Sequence, residues 1–369
     1  MRIGLYGRVL LKPGSGIVNY SYELIENLLK YDNKNEYILY VMKNRLPRKK
    51  FDERLEIRQT NLPYFMWRTM LFTKQVEKDD IDVYHSTAYS LPLVPKRLRG
   101  FSVVSTFHGL HPKIFWQSFK DNVYLGLDYR SASIFADRIM AVSNALKQEI
   151  FKIYKKPLDK IDVVYFGLSE QFKPQSIYGK KQELIFKRYH IQMQQFILSV
   201  SGKTKNKNVN TILQSWSILK HRYKFNIPLV ILRATIDDQM LTRLGLIRGK
   251  DVIPIDWVDD MPLLYSSAAF SVYHSTYEGV GFPIIESMAC GSPVITSNVP
   301  PMAEAAGGNA ILVNNPKDPE EWASKIIELY EDENLQNKLR KKGLKWAKNF
   351  TWDKIIKRVI GSYKRASEE

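Results

Sequence analysis

The chain has 369 residues, 44% of them hydrophobic and 25% charged, close to the averages of folded globular proteins, which excludes a disordered, collagen-like or coiled-coil polypeptide. At roughly 150 residues per domain, that length predicts about two domains. Lys and Arg outnumber Asp and Glu by 55 to 38, a formal net charge of +17, so the expected partner is anionic: nucleic acid, acidic lipid or a phosphorylated small molecule.

The chain opens with an apolar strand pattern, RIGLYG, followed by the loop LLKPGSG and a helix with Ile17, Tyr20, Leu24 and Leu28 on one face. Arg8 interrupts the short apolar start, so no export signal is expected, and with one cysteine, Cys290, the chain reads as cytoplasmic. Further strand-like runs follow at YILYVM, IDVYHS, FSVVSTFH, DRIMAVS and KIDVVYFG, interleaved with helical stretches such as NALKQEIFKIY. After Gly167 the pattern lapses into LSEQFKPQSIYGKKQ, where a linker is expected. A second alternating series then begins with FILSVSG and continues through PLVILRA, DVIPIDW, AAFSVYHS, SPVITSN and AILVNN. The expectation is an α/β chain of two doubly wound domains, residues 1–172 and 183–350, joined by a linker at 173–182. A basic amphipathic helix at 351–369 closes the chain and is free to pack back on the first domain. Ligands of open parallel sheets gather beyond the carboxyl ends of the strands, so two such sheets imply a cleft between them.

The densest chemical signal is SVYHSTYEGVGFPIIESMACGSPVITSN: a strand, a glycine loop, and a helix from near Pro283 to just before Gly291. Gly279 and Gly281 let the backbone approach a ligand, while Glu278 in the loop and Glu286 in the helix are placed to face one cavity and accept from sugar hydroxyls. A second cluster, SVSGKTKNKNVN, sets Lys203, Lys205 and Lys207 at the mouth of the second sheet, where ammonium groups could hold a diphosphate.

The segment EGVGFPIIE resembles the E-x7-E motif of the retaining glycosyltransferases of family 4, which have the GT-B fold of two Rossmann-like domains facing each other across a cleft. Similar patterns occur in order at SGIVNYSYEL, VVSTFHG, AVSNALKQEI, VVYFGLSEQFKP, KNKN, and from DWVDDMPLLYSSA through AEAAGGNAILVNN, so the resemblance spans both halves. It implies hexose transfer from a nucleotide diphosphate sugar to a glycan or lipid-linked hydroxyl, with retention and without a cofactor or metal. In that reading His108, Glu278 and Lys207 form the reaction centre. Gly16 approaches the diphosphate, Lys203 and Lys207 hold it, Gly279, Val280, Gly281 and Phe282 meet the sugar and β-phosphate, and Glu286 binds the ribose. Lys203 stands where the family usually has arginine, and four further positions depart from its pattern: Gly109 where aspartate is common, Phe166 for asparagine, Ser201 for glycine and Arg233 at a strand end usually given to glycine.

Other signals are weaker. Asp80-Ile81-Asp82 precedes a strand instead of following one, and Asp259-Asp260 reads as a helix cap, so neither is taken as a metal motif. His85, His108 and His274 each close a strand but lack a zinc-ligand spacing; His85 and His274 read as structural, and Cys290 as packed. LPYFMWRTMLFTKQ, and LKQEIFKIYKK with Lys147, Lys152, Lys155 and Lys156, mix aromatic and basic residues in a way that suits either a core or an acidic membrane surface. The competing functions are a nucleotide-sugar epimerase or phosphorylase of the same fold, and a non-catalytic nucleic-acid binder. The latter lacks any recognition module.

Overall fold

The computed structural model describes the backbone of residues 1–11, 16–43, 45–47, 49–88, 91–110, 119–176, 180–256, 258 and 260–369. The chain divides into two compact units, residues 1–167 with 352–369, and residues 168–351.

Unit 1 contains a seven-stranded sheet: β1 (Arg2–Tyr6), β2 (Glu36–Met42), β3 (Leu55–Thr60), β4 (Val83–Ser86), β5 (Ser102–Phe107), β6 (Arg138–Ala141) and β7 (Ile161–Val163). The strands lie in the order β3-β2-β1-β4-β5-β6-β7 and pair in parallel. The order reverses between β1 and β4. Among the described residues, the helices of unit 1 before the C-terminal one are α1 (Gly16–Tyr31), α2 (Met70–Glu77), α3 (Phe119–Phe135) and α4 (Asn144–Tyr154). β1, β4 and β5 are buried along almost their whole length, as sheets covered on both faces must be. β3, which the sequence pattern does not announce, is different. At this edge strand Ile57 and Gln59 are exposed while Glu56 and Arg58 are half-buried, with Arg58 paired to Glu56 at 2.6 Å and to Asp79 at 3.1 Å, so no apolar alternation marks it.

The C-terminal helix, Trp352–Glu368, belongs to unit 1. It buries Trp352, Ile355, Ile356, Val359 and Tyr363 against the sheet. Polar ties fix its register: Ser102 Oγ donates to the Ala366 carbonyl at 2.6 Å, Ser362 Oγ to Asp162 at 2.6 Å, and Arg365 pairs with Asp162 at 2.9 Å. His85, fully buried, lies 2.7 Å from the Tyr363 hydroxyl through Nδ1 and 2.7 Å from Thr106 through Nε2.

Unit 2 holds a six-stranded parallel sheet of β8 (Ile197–Val200), β9 (Leu229–Leu232), β10 (Val252–Ile255), β11 (Phe270–Tyr273), β12 (Val294–Ser297) and β13 (Ile311–Val313), in the order β10-β9-β8-β11-β12-β13. Around it run α5 (Lys180–Tyr189), α6 (Val209–Tyr223), α7 (Asp238–Arg243), α8 (Met261–Ser267), α9 (Phe282–Ala289), α10 (Pro300–Ala306), α11 (Pro319–Glu331) and α12 (Glu333–Ala347). One face of the sheet is filled by Trp216, Leu219, Phe270, Trp322 and Ile326. Asp260, Asp318 and Asp332 cap α8, α11 and α12 by accepting backbone N–H groups, each cap contributing about 1 kcal/mol. Asp259 lies outside the described residues.

The unit boundary at Gly167 and Leu168 falls earlier than the linker expected at 173–182, and residues 180–182 of that stretch open α5. The reason is local. The Leu168 N–H donates to the Phe350 carbonyl at 2.6 Å, anchoring the chain to unit 2 at once, while Gly167 lies directly against Trp352 of unit 1.

Candidate active site

In unit 2 the strand order turns back between β8 and β11, so the loops leaving these two strands open side by side at the carboxyl end of the sheet. That is where an open α/β sheet takes its ligand. The first loop, 201–208, contains the lysine cluster; the second, 274–281, contains Glu278 and the glycines.

The two loops are knit by their own polar groups. Asn206, buried, donates its side-chain N–H to the Tyr277 carbonyl at 2.9 Å and accepts the Thr276 N–H at its own carbonyl at 2.8 Å. His274 donates from Nδ1 to the Lys207 carbonyl at 2.5 Å, and its Nε2 accepts from Ser199 Oγ at 2.8 Å. Burial lowers the His274 pKa to about 4, so the imidazole is neutral in this bridging role. On that frame Lys207 Nζ meets Glu278 Oε1 at 2.6 Å, both side chains about a quarter exposed, at 22% and 23%. Gly202 leaves room for the lysine stem, since a Cβ there would stand 3.2 Å from Lys207 Cε. The sequence-predicted lysine and glutamate therefore meet as an ion pair. Lys203 and Lys205 stay exposed, and with Gly202, Thr204, Asn208 and Thr235 they line a cavity of about 400 Å³ beside the start of α6.

α9 begins at Phe282, as its Pro283 in the first turn predicts, and Gly281 turns the chain into it at φ +67°, a left-handed conformation that favours glycine. Val280 is buried. Glu286, half-buried in the second turn of α9, accepts a hydrogen bond from the Tyr265 hydroxyl of α8 at 2.8 Å. Burial and the neighbouring Glu286 charge push the Tyr265 and Tyr273 phenols above their ordinary range, so both stay protonated. One oxygen of Glu286 is held and the carboxylate is aimed. Tyr265 was not legible as a site residue: it stands in another helix, with no motif linking it to Glu286.

Gly16 and His108 belong to unit 1, at the carboxyl end of its own sheet. Gly16 starts α1, exposed, with nothing within 4 Å of where a Cβ would point. One turn further on, Tyr20 packs edge-on against His108 at 5.0 Å, and Phe166 closes on both, at 4.6 Å from Tyr20 and 5.5 Å from His108. Phe166, one of the departures from the family pattern, thus serves as an aromatic wall. His108 donates from Nε2 to the Thr87 carbonyl at 2.7 Å. Burial lowers its pKa to about 4, so Nδ1 is an acceptor at neutral pH. Gly109 has φ +148°, where an L side chain is strained, which ties the missing aspartate to the backbone path. Arg233 adopts φ +58° at the end of β9, the conformation for which glycine is usual, and Ser201 is buried at the end of β8. Among the described residues no group of three or more His, Cys, Asp or Glu is arranged to hold a metal ion, and Cys290 is buried.

Residues 14–172 match the family described as Glycosyltransferase Family 4, and residues 180–346 match Glycosyl transferases group 1. The chain is 29% identical over 298 residues to the O-antigen chain mannosyltransferase B of Escherichia coli, covering 76% of this chain and 74% of that protein. Its fold is similar to a glycosyltransferase from Rickettsia africae, with TM-score 0.76, 19% identity and coverage of 99% and 98%. It is also similar to Anabaena HepE solved in complex with UDP, with TM-score 0.72, 18% identity and 99% coverage of both chains. With both halves matched in order, two parallel sheets of doubly wound topology and this likeness of fold, the chain belongs to the GT-B glycosyltransferases of family 4 type.

Proposed function

We propose that the chain transfers a hexosyl group from a nucleotide diphosphate sugar to a hydroxyl of a glycan or lipid-linked acceptor, with retention at the anomeric carbon. The observation that carries this reading is the Lys207–Glu278 pair, held at the switch point of the second sheet beside the Gly281 turn and the Tyr265-anchored Glu286. Glu286 would accept from the ribose hydroxyls, the 279–282 backbone would meet the sugar and β-phosphate, and Lys203 and Lys207 would hold the diphosphate. Gly16 leaves the first unit open to close approach, and His108, neutral, lines the reaction centre. The relative from E. coli makes mannose the first sugar to test, and the UDP held by HepE supports a nucleoside diphosphate as the donor tail.

The chemistry is a front-face substitution. The bond from the anomeric carbon to the phosphate oxygen breaks as the acceptor oxygen bonds to that carbon, and the acceptor's proton passes to the departing phosphate. No enzymic nucleophile is needed. The protein contributes position and fixed positive charge on the leaving group, which lysine ammonium groups supply without a metal. No described helix is long and apolar enough to cross a membrane.

The test is a thermal-shift panel of GDP-mannose, UDP-glucose and ADP-glucose with EDTA present, followed by NMR of the product formed with a hydroxyl acceptor. Stabilisation by one donor and a retained anomeric configuration support the reading. Conversion of the donor without any acceptor to an altered nucleotide sugar identifies an epimerase instead. Salt-sensitive retention on DNA that no nucleotide sugar affects identifies a nucleic-acid binder.

A further inference from the structure

The +17 charge is only partly used by a donor site, and one face of unit 1 combines cations with uncovered apolar side chains. The 3-10 turn Tyr64–Arg68 and α2 split their aromatic residues sharply. Trp67 and Phe72 are buried and stack at 4.9 Å, whereas Phe65 is 71% exposed and Leu71 is 53% exposed. Leu71 and Lys74 of α2 and Lys78, its C-cap, follow one another at the spacing of a single helix face, and all three are exposed. A second segment is fastened alongside. The Leu93 N–H donates to the Arg68 carbonyl at 2.9 Å, and the Gly100 N–H donates to Glu77 at 3.0 Å. Between those ties the 3-10 turn Lys96–Leu98 buries nothing, and Leu98 is 52% exposed. Its base is rigid: Arg99 is buried, paired with Asp137 at 2.8 Å and donating to the Val94 carbonyl at 3.0 Å.

We propose that this face, with Phe65, Leu71 and Leu98 as apolar tips and Lys74, Lys78, Lys96 and Arg97 around them, docks on a bilayer surface that carries anionic lipid. The charge selects the partner. Against Lys74, Lys78, Lys96 and Arg97 stand Glu77, whose carboxylate accepts the Gly100 N–H, and Asp80 at the helix end, while Asp79 pairs with Arg58 at 3.1 Å, so the face keeps a net positive charge. Apolar tips on a preformed, basic backbone enter the headgroup boundary with little ordering cost, and each nearby cation strengthens attachment to acidic lipid. The proposal needs no assumption about the donor.

The experiment uses the full chain and vesicles of phosphatidylcholine, alone or mixed with an equal amount of phosphatidylglycerol. Co-sedimentation with the acidic vesicles is expected, weakening as salt rises. Lys74→Gln with Lys96→Gln lowers the partition constant by about 25-fold, at about fivefold per cation. Phe65→Ser with Leu71→Ser lowers it about tenfold with the charge unchanged. Because Cys290 is buried, an environment-sensitive dye on Leu71→Cys reports this site, and its emission shifts to the blue on acidic vesicles only. Lys341→Gln with Lys345→Gln on α12, exposed in unit 2, leaves binding intact. The proposal is overturned by no binding to acidic vesicles, or by loss with the α12 pair but not with the α2 pairs. It is equally overturned if Phe65→Ser with Leu71→Ser dissociates a dimer in vesicle-free solution, which would make the face an interface between copies.

Discussion

Replacing Lys207 by alanine separates the chemistry proposed for the second sheet from its architecture. The loop that carries Lys207 is held by His274 on the Lys207 carbonyl at 2.5 Å and by Asn206 on Tyr277 at 2.9 Å, and neither bond uses the lysine side chain. What the variant loses is the 2.6 Å pair with Glu278, whose carboxylate is about a quarter exposed (23%) and can be hydrated in its place. A partly exposed pair of this kind contributes about 1 kcal/mol to stability, a shift of a few degrees in Tm for a unit of this size. The transfer step is different. If the ammonium neutralises charge that appears on the departing diphosphate, its loss costs about 3–4 kcal/mol in the transition state, or roughly 10²–10³ in kcat. The assay is steady-state transfer with saturating donor beside a thermal melt of the same preparation. A variant that melts within a few degrees of the parent and turns over at a near-normal rate would refute the assignment. Combining Lys207→Ala with Glu278→Gln is expected to cost less than the sum of the two single changes, because the residues act on one another.

Tyr265→Phe removes the hydroxyl from Glu286 while keeping the ring packed, so donor KM should rise about tenfold with kcat within about twofold; a fall in kcat at constant KM would contradict a role in holding the Glu286 carboxylate toward the ribose. Acid should destabilise the fold earlier than ordinary carboxylates would. The histidines at 85, 108 and 274 have pKa values lowered to about 3, 4 and 4 by burial, so the unfolded chain takes up their protons first, and stability present above about pH 6.5 is lost as pH falls towards 4. For His274 alone this amounts to about 3 kcal/mol, and melts that are flat between pH ~7 and ~4.5 would exclude it. Gly167→Ala places a Cβ 2.1 Å from Trp352, so unit 1 should lose about 1–3 kcal/mol, seen as faster amide exchange in the C-terminal helix. Gly16→Ala meets nothing and should leave the melt unchanged while lowering transfer; unchanged transfer would remove Gly16 from the site.

Periodicity and punctuation alone were enough for the alternating strands and helices, the glycine turn into α9 and the placement of both lysine and glutamate loops, because each is written within a few consecutive residues. The edge strand β3 escaped because its exposed positions are Ile57 and Gln59 and its half-buried ones Glu56 and Arg58, so its sequence carries no apolar alternation. Tertiary packing decided the rest. Whether Lys207 would meet Glu278, 71 positions later, depended on β8 and β11 becoming neighbours in the sheet. The Tyr265 bond to Glu286 depended on α8 lying beside α9, and the return of Trp352–Glu368 to the first sheet depended on Gly167 leaving space for Trp352. Local patterns set what each segment becomes, because backbone hydrogen bonding and side-chain alternation act over a few residues. Which distant side chains touch is set by strand order and burial, and those are properties of the whole folded chain.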